Sequence, residues 1–203
     1  MLRAAEIETL CPGVIFWRFY DPTVKAELFS TGLETASGTY LIDPIQLTPD
    51  LMTGLASGTK TAGIIITNEN HERVAAFFAE QLRVPIYSAV TRIPGLAEIV
   101  AIKEGEPLAP GLTAVSIEGA PAGEIALHWK ANGGTLVMGD ALINFEPHGF
   151  TFLPSKYCQN FKRMRRSLAK LLEYQFERIL FAHGTPIVSG ARQRLEELLR
   201  ETR

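Results

Sequence analysis

Hydrophobic positions open the chain in strand-like runs. Residues 14–20 (VIFWRFY) are apolar and aromatic, 27–30 form a short run, and 39–42 lead into Asp43-Pro44. Bounded by turn residues, these runs predict a meander of antiparallel strands. The rhythm changes at 48–59, where a Pro-Asp start precedes Leu51, Met52 and Leu55 and Gly58 follows. Apolar spacings of three and four with a glycine stop predict a short amphipathic helix.

Residues 62–67 (AGIIIT) then run without a polar break straight into Asn68-Glu69-Asn70-His71-Glu72-Arg73. A continuous β-branched run is the pattern of a strand covered on both faces. That strand delivers a cluster of polar side chains at its C-terminal end. Val74, Phe77, Phe78 and Leu82 recur at helical spacing up to Arg83, so the cluster is expected in the first turn of a helix. Residues 84–87 predict the next strand.

Further strands are expected at 99–102, 112–117 and 124–129. Asn132-Gly133 is a hairpin signal, because both residues tolerate positive φ, and 135–138 returns from it to end at Gly139-Asp140. In 155–174 the residues Phe161, Met164, Leu168, Leu171 and Leu172 form one stripe, with Lys162, Arg163, Arg165, Arg166 and Lys170 around it. This predicts a helix whose basic outer face is solvated. A strand at 178–182 ends at His183-Gly184, and 190–203 predicts a terminal helix. Strands followed by interleaved strands and helices, with no repeat or linker, give mixed α and β with two sheets. One domain spanning 1–203 is expected.

Length and charge narrow the picture. A chain of 203 residues can bury one layered core and is short for two. A net charge of −2 gives no global excess of cations to attract nucleic acid or anionic lipid, so neither is an expected partner. Cys11 and Cys158 sit in no metal or redox spacing and are expected as free thiols. Glu6 and Glu8 interrupt residues 1–10 where a signal peptide needs an apolar stretch, and no run approaches a membrane span. A cytoplasmic location is expected.

Five ordered segments carry a resemblance. They are Gly38-Thr39-Tyr40-Leu41-Ile42-Asp43, the strand and loop 64–73, Glu118-Gly119-Ala120-Pro121-Ala122-Gly123, Gly139-Asp140, and Ala182-His183-Gly184. Together they resemble the metallo-β-lactamase superfamily, whose strand-end loop reads T-H-x-H-x-D-H, followed by P-G-H-T-x-G, G-D and a final histidine before glycine. The resemblance implies an α+β, four-layer αββα sandwich of two mainly antiparallel or mixed sheets flanked by helices. It also implies a site at one edge that holds two metal ions.

Laid over this chain, the loop's first two histidine positions fall on Asn68 and Asn70, its aspartate on Glu72 and its last histidine on Arg73. The middle-motif histidine falls on Ala120, and only Asp140 and His183 keep the family's residue type. Zinc takes imidazole, thiolate or carboxylate donors, so Asn68, Asn70 and Ala120 leave the first metal position without ligands. At the second, Arg73 puts a permanent cation where the family has imidazole. No cofactor is therefore expected in the family's geometry.

The Arg73 guanidinium is expected to fill the vacated space and pair with Asp140, Glu72 or both, because an unpaired buried carboxylate is costly. His71 occupies a spacer position and is expected on the exposed first turn, with His128 half-exposed on its strand. The segment 144–153 should border the pocket, its Phe145, His148, Phe150 and Phe152 serving either as walls or as core packing.

Three functional readings stand. The first is a non-hydrolytic member of the fold whose residual pocket (Asn68, Asn70, His71, Glu72, Arg73, Ala120, Asp140, His183) holds an internal ion pair and takes a small molecule or a protein. The second is a mononuclear hydrolase of an ester, thioester or phosphoester, with zinc or another divalent ion on His71, Glu72, Asp140 and His183. The third is a metal-free enzyme with His183 or His71 as general base beside Glu72.

Overall fold

Alternation along the central strands decides the layering of the protein, whose computed structural model describes residues 3–58 and 60–201. The first sheet begins as an antiparallel meander of β1 (Glu8–Cys11), β2 (Val14–Asp21), β3 (Ala26–Thr35) and β4 (Gly38–Ile42). The helix α1 (Pro49–Gly58) then carries the chain to β5 (Thr61–Ile66), and α2 (Ala75–Leu82) to β6 (Ile86–Ser88). These two strands and β7 (Val100–Ala101) extend the sheet in parallel, giving seven strands in sequence order.

The second sheet is built from β8 (Pro107–Ala109), β9 (Leu112–Ser116), β10 (Ile125–Trp129) and β11 (Thr135–Met138). A separate hairpin follows, β12 (Leu142–Phe145) and β13 (Gly149–Phe152), and then α3 (Phe161–Leu168). The strand β14 (Arg178–Phe181) adds parallel to β11, and α4 (Ala191–Glu201) closes the described chain.

Because successive strand side chains point to opposite faces, each central strand serves two cores. Ile65 of β5 joins Tyr40, Leu127, Val137 and Leu180 between the sheets. Its neighbours Ile64 and Ile66 face Met52 and Leu55 of α1 and Phe78 of α2. In the second sheet Leu136, Met138, Ile179 and Phe181 turn the other way, onto Met164, Leu168 and Leu195 of α3 and α4. The result is the expected four-layer αββα sandwich, with both sheets covered on their outer faces.

Several local expectations are revised. The 155–174 segment is not one helix: 3-10 turns at Ser155–Tyr157 and Ala169–Glu173 flank α3. Asn160, extended at φ −155°, starts α3 instead by accepting a hydrogen bond from Arg163 N at 2.9 Å, as N-cap residues do. Asn132 and Gly133 do turn between β10 and β11 with φ of 52° and 86°, but within a 3-10 turn. The short strands β1 and β8 and the β12–β13 hairpin carry too little pattern to be expected from sequence. The helices predicted over 48–59 and 190–203 reach positions 59, 202 and 203, which lie outside the described residues. Cys11 and Cys158 are free thiols.

Candidate functional site

Two parallel strand pairs, β4 with β5 and β11 with β14, end at one edge of the sandwich. Polar groups at the carboxyl ends of parallel strands are the usual furniture of such edges. Here Asp43 follows β4, the 67–73 loop follows β5, Asp140 follows β11 and His183 follows β14. The sheets are stitched where they meet, by Ile125 N donating to Thr67 O at 2.9 Å and Phe29 N to Ala182 O at 3.0 Å. Gly139 is needed at this seam, since a Cβ there would come within 2.7 Å of Thr67 Oγ1 and 2.8 Å of Glu124 Oε2.

The cluster 68–73 forms the turn before α2 rather than its first helical turn. His71 consequently points inward. It is only 4 % exposed, against the expectation of a surface position. Its Nδ1 lies 3.0 Å from Asp43 Oδ2, and its Nε2 lies 3.2 Å from Asp140 Oδ1. Asp43 is fixed in turn by Thr67, whose backbone N–H donates to Oδ1 at 2.9 Å and whose hydroxyl donates to Oδ2 at 2.6 Å. His183 Nε2 approaches the same Asp140 oxygen at 3.4 Å, so one carboxylate oxygen faces two imidazoles.

The polar substitutions have partners of their own. Asn68 is fully buried, and its side-chain amide donates to Glu124 Oε2 at 2.7 Å and to Asp140 Oδ2 at 3.1 Å. Its carbonyl oxygen accepts from Asn70 N at 2.9 Å. Glu124 Oε1 accepts from Ala141 N at 2.8 Å. Asn68 thus tethers the two acidic side chains with a neutral donor. Asn70 itself is exposed and lines the cavity above.

Arg73 turns inward as expected, but its partners differ from those expected. The guanidinium donates to the carbonyls of Phe29 at 2.6 Å, Asp43 at 2.7 Å and Ala182 at 3.4 Å. Among the described residues it forms no ion pair with Asp140 or Glu72. A planar fork of five donors suits these converging carbonyls, of which Asp43 O also accepts from Ser30 Oγ at 2.7 Å and Ala182 O from Phe29 N at 3.0 Å. Glu72 stays outside the cluster, half-buried beside Gly95, and Ala120 packs into the core under α3. His128 is buried rather than half-exposed, its Nε2 2.9 Å from Gln175 O.

Proximity sets the charges. Burial opposes a cation at His71, yet Asp43 and then Asp140 outweigh it and raise the imidazole to about 9. Burial likewise works against Asp43 and Asp140, but His71 holds both below the usual carboxylate range. His183 is pushed down to about 4 by burial, then by the His71 and Arg73 cations. Glu124 is pushed up to about 8 by burial and by Asp140. Arg73 is lowered by burial but remains a cation, as guanidinium does in proteins. At neutral pH, His71 and Arg73 therefore balance Asp43 and Asp140, while His183 and Glu124 are neutral. His183 Nδ1 is buried without a hydrogen bond, although the nearby Glu27 backbone slightly favours its protonated form.

Above this floor opens a cavity of about 890 Å3, floored by His71, Arg73, Asp140 and His183. Val24, Leu28, Ile143, Phe145 and Tyr157 form its apolar walls. The 144–153 segment divides: Phe145 and His148 line the cavity, whereas Phe150 packs on Phe181 and Phe152 on Phe161.

The donor set does not fit two zinc ions, because Asn68, Asn70 and Ala120 supply no ligand to the first. One ion is a different question. Single donor atoms of His71, Asp140 and His183 all lie within 4.8 Å of one another. The separations of 3.2 and 3.4 Å match the edges of a tetrahedron with bonds of about 2.0–2.1 Å. Those donors fit one ion if His71 gives up its proton. Sequence reasoning missed Asp43, Thr67 and Glu124 as members of this site. The Asp-Pro at the end of a predicted strand was the available signal for Asp43, and a lone carboxylate opening a buried strand was that for Glu124.

The fold that carries this edge has counterparts among known proteins. The sequence model of the metallo-beta-lactamase superfamily matches residues 9–202, and the chain belongs to that superfamily. A metallo-beta-lactamase family protein from Thermus thermophilus superposes with a TM-score of 0.70 at 20% identity, over 96% of this chain and 80% of that one. A metallo-beta-lactamase from Hirschia baltica gives 0.72 at 15% identity, over 100% and 99%. A beta-lactamase domain protein from Burkholderia ambifaria gives 0.70 at 18%, over 100% and 78%. At these identities the likeness is one of fold. No curated protein matches the chain in sequence. No helix among the described residues is long and apolar enough to cross a membrane.

Proposed function

We propose that this chain is a non-hydrolytic member of the superfamily that binds a small ligand in the cavity above Asp140. The observation that carries the reading is the balance of charge in the floor. Arg73 and the His71 imidazolium already offset Asp43 and Asp140, so a divalent ion would have to displace the His71 proton and enter beside the fixed Arg73 cation in a poorly solvated site. Hydrolysis in this superfamily's manner needs such an ion to activate water. The cavity is within the usual size of small-molecule sites, roughly 300–1,000 Å3. Its apolar walls around a few polar groups are likewise of that kind.

One observation favours a second reading. The Asp43 carboxylate sits on His71 Nδ1, the arrangement by which second-layer carboxylates orient a metal-binding imidazole. Under that reading His71, Asp140 and His183 would hold a single ion, which would supply an activated water. Glu72 is too far outside the cluster to join them.

Metal analysis separates the two. Protein produced with added zinc or manganese, dialysed and measured by mass spectrometry, is expected to carry metal far below one equivalent, with a melting temperature indifferent to chelator. Retention of one equivalent, lost in His183→Ala, would replace the proposal with the mononuclear reading. Ligand screening by NMR is expected to perturb the Ile143 and Phe145 resonances. A screen whose hits all bind elsewhere would count against the cavity.

A further inference from the structure

On the opposite helical layer, α3 with its 3-10 extension and α4 leave a concavity of about 580 Å3 between them. Its floor is apolar, made by Phe161, Ala169, Leu172 and Leu199, and cations surround it. The helix α3 carries four of them in eight residues and no acid, in a chain whose net charge is −2. The concentration is local.

The partners of these cations separate by direction. Those pointing away from the concavity have carboxylates: Arg163 Nε lies 2.8 Å from Glu118, and Lys170 Nζ lies 3.4 Å from Glu104. Arg165 is built into the wall, donating to Leu199 O at 3.3 Å and stacking its guanidinium 5.3 Å from the centre of the Phe152 ring. Across the groove, Arg200 pairs with Glu196 on its own helix. Lys162 and Arg166, exposed on the rim, form no ion pair among the described residues.

We infer that this groove docks an acidic amphipathic segment of a partner protein, whose apolar side chains enter between Phe161, Leu172 and Leu199 while its carboxylates meet Lys162 and Arg166. Charge complementarity names the occupant: cations with no ion pair among the described residues, beside an apolar floor, fit a segment carrying both features, in the helix-in-groove manner. A membrane surface is a poorer fit, because the apolar residues form the bottom of a recess and not a protruding face. The cations steer the encounter and the floor supplies the buried area.

The test uses a fluorescent helical peptide of alternating glutamate and leucine faces, titrated with the full chain and followed by anisotropy. Two control peptides replace its leucines by alanine or its glutamates by lysine. The acidic amphipathic peptide is expected to bind at least ~10-fold tighter than either control, with affinity that falls as salt rises. The Lys162→Glu/Arg166→Glu variant is expected to weaken binding by ~10-fold or more. Arg18→Glu/Lys25→Glu, with the same change of net charge on another face, is expected to leave it unchanged. Circular dichroism confirms that both variants fold. Equal binding of the alanine control, equal loss in both variants, or no binding overturns the inference. So does binding to phosphatidylserine vesicles without binding to the peptide, which would make the face a membrane contact.

Discussion

His71 Nε2 lies 3.2 Å from Asp140 Oδ1, joining the loop after β5 to the end of β11, segments far apart along the chain. Its other nitrogen meets Asp43, so one imidazole bridges carboxylates from both sheets. A residue that the resemblance placed at a spacer position thus stands at the centre of the site.

The protonation of this imidazole is directly observable. In histidine NMR spectra, His71 is expected to remain an imidazolium until about 9, and His183 to remain neutral down to about 4. A His71 that is neutral at pH 7 with both nitrogens engaged would point to a bound metal instead.

Stability should follow from the same shifts. His71 is raised in the folded state above its ordinary 6.5, so its contribution is complete below 6.5 and is lost as pH rises through 9. Glu124, raised from 4.5 to about 8, adds a loss of the same sign, full below 4.5 and fading through 8. Asp43, Asp140 and His183 are all lowered, so they contribute above their ordinary values and lose that contribution on acidification. Urea unfolding is expected to show decreasing stability from about pH 7 to about pH 9.5. A flat profile there would contradict the proposed protonation of His71 and Glu124.

Removing the bridge should be costly. His71→Ala leaves Asp43 and Asp140 without the cation between them, and breaking a buried pair from one side costs about 3–5 kcal/mol. Adding Asp140→Asn to His71→Ala is expected to recover part of that loss, because coupled neighbours are not additive. Denaturant midpoints of the two variants measure it.

Arg73 should resist even a conservative exchange. Its two Nη groups reach three carbonyls, one within β3 and two just past β4 and β14, a spread that a single ammonium does not match. Arg73→Lys is expected to lose about 1.5–3 kcal/mol, the worth of a hydrogen bond to a charged group that the ammonium does not remake. An unchanged denaturation midpoint would show that the carbonyls find other partners.

The superfamily's metal chemistry should be recoverable only if the cation is removed. Asn68→His/Asn70→His is expected to gain little zinc affinity, whereas the same pair with Arg73→His should bind zinc measurably by calorimetry. Equal affinity in both proteins would mean that Arg73 does not exclude the ion.

Much of this fold was written locally. The unbroken AGIIIT run predicted a strand covered on both faces, and Ile64, Ile65 and Ile66 do serve alternate cores. The ordered motif segments likewise located Asp140 and His183 at a sheet edge. Where periodicity was thin, in β8 or the β12–β13 hairpin, there was nothing to read, since a three- or four-residue strand holds too few alternations to stand out.

By itself, the sequence determined most of the strands and helices and the faces they bury. Only the tertiary structure decided that His71 turns inward, that Arg73 serves backbone carbonyls rather than Asp140, and that Asp43 and Glu124 join the site. The reason is physical. Periodicity is a property of neighbours along the chain, whereas the charge and direction of these side chains depend on groups that only the packing of two sheets brings within 3–4 Å.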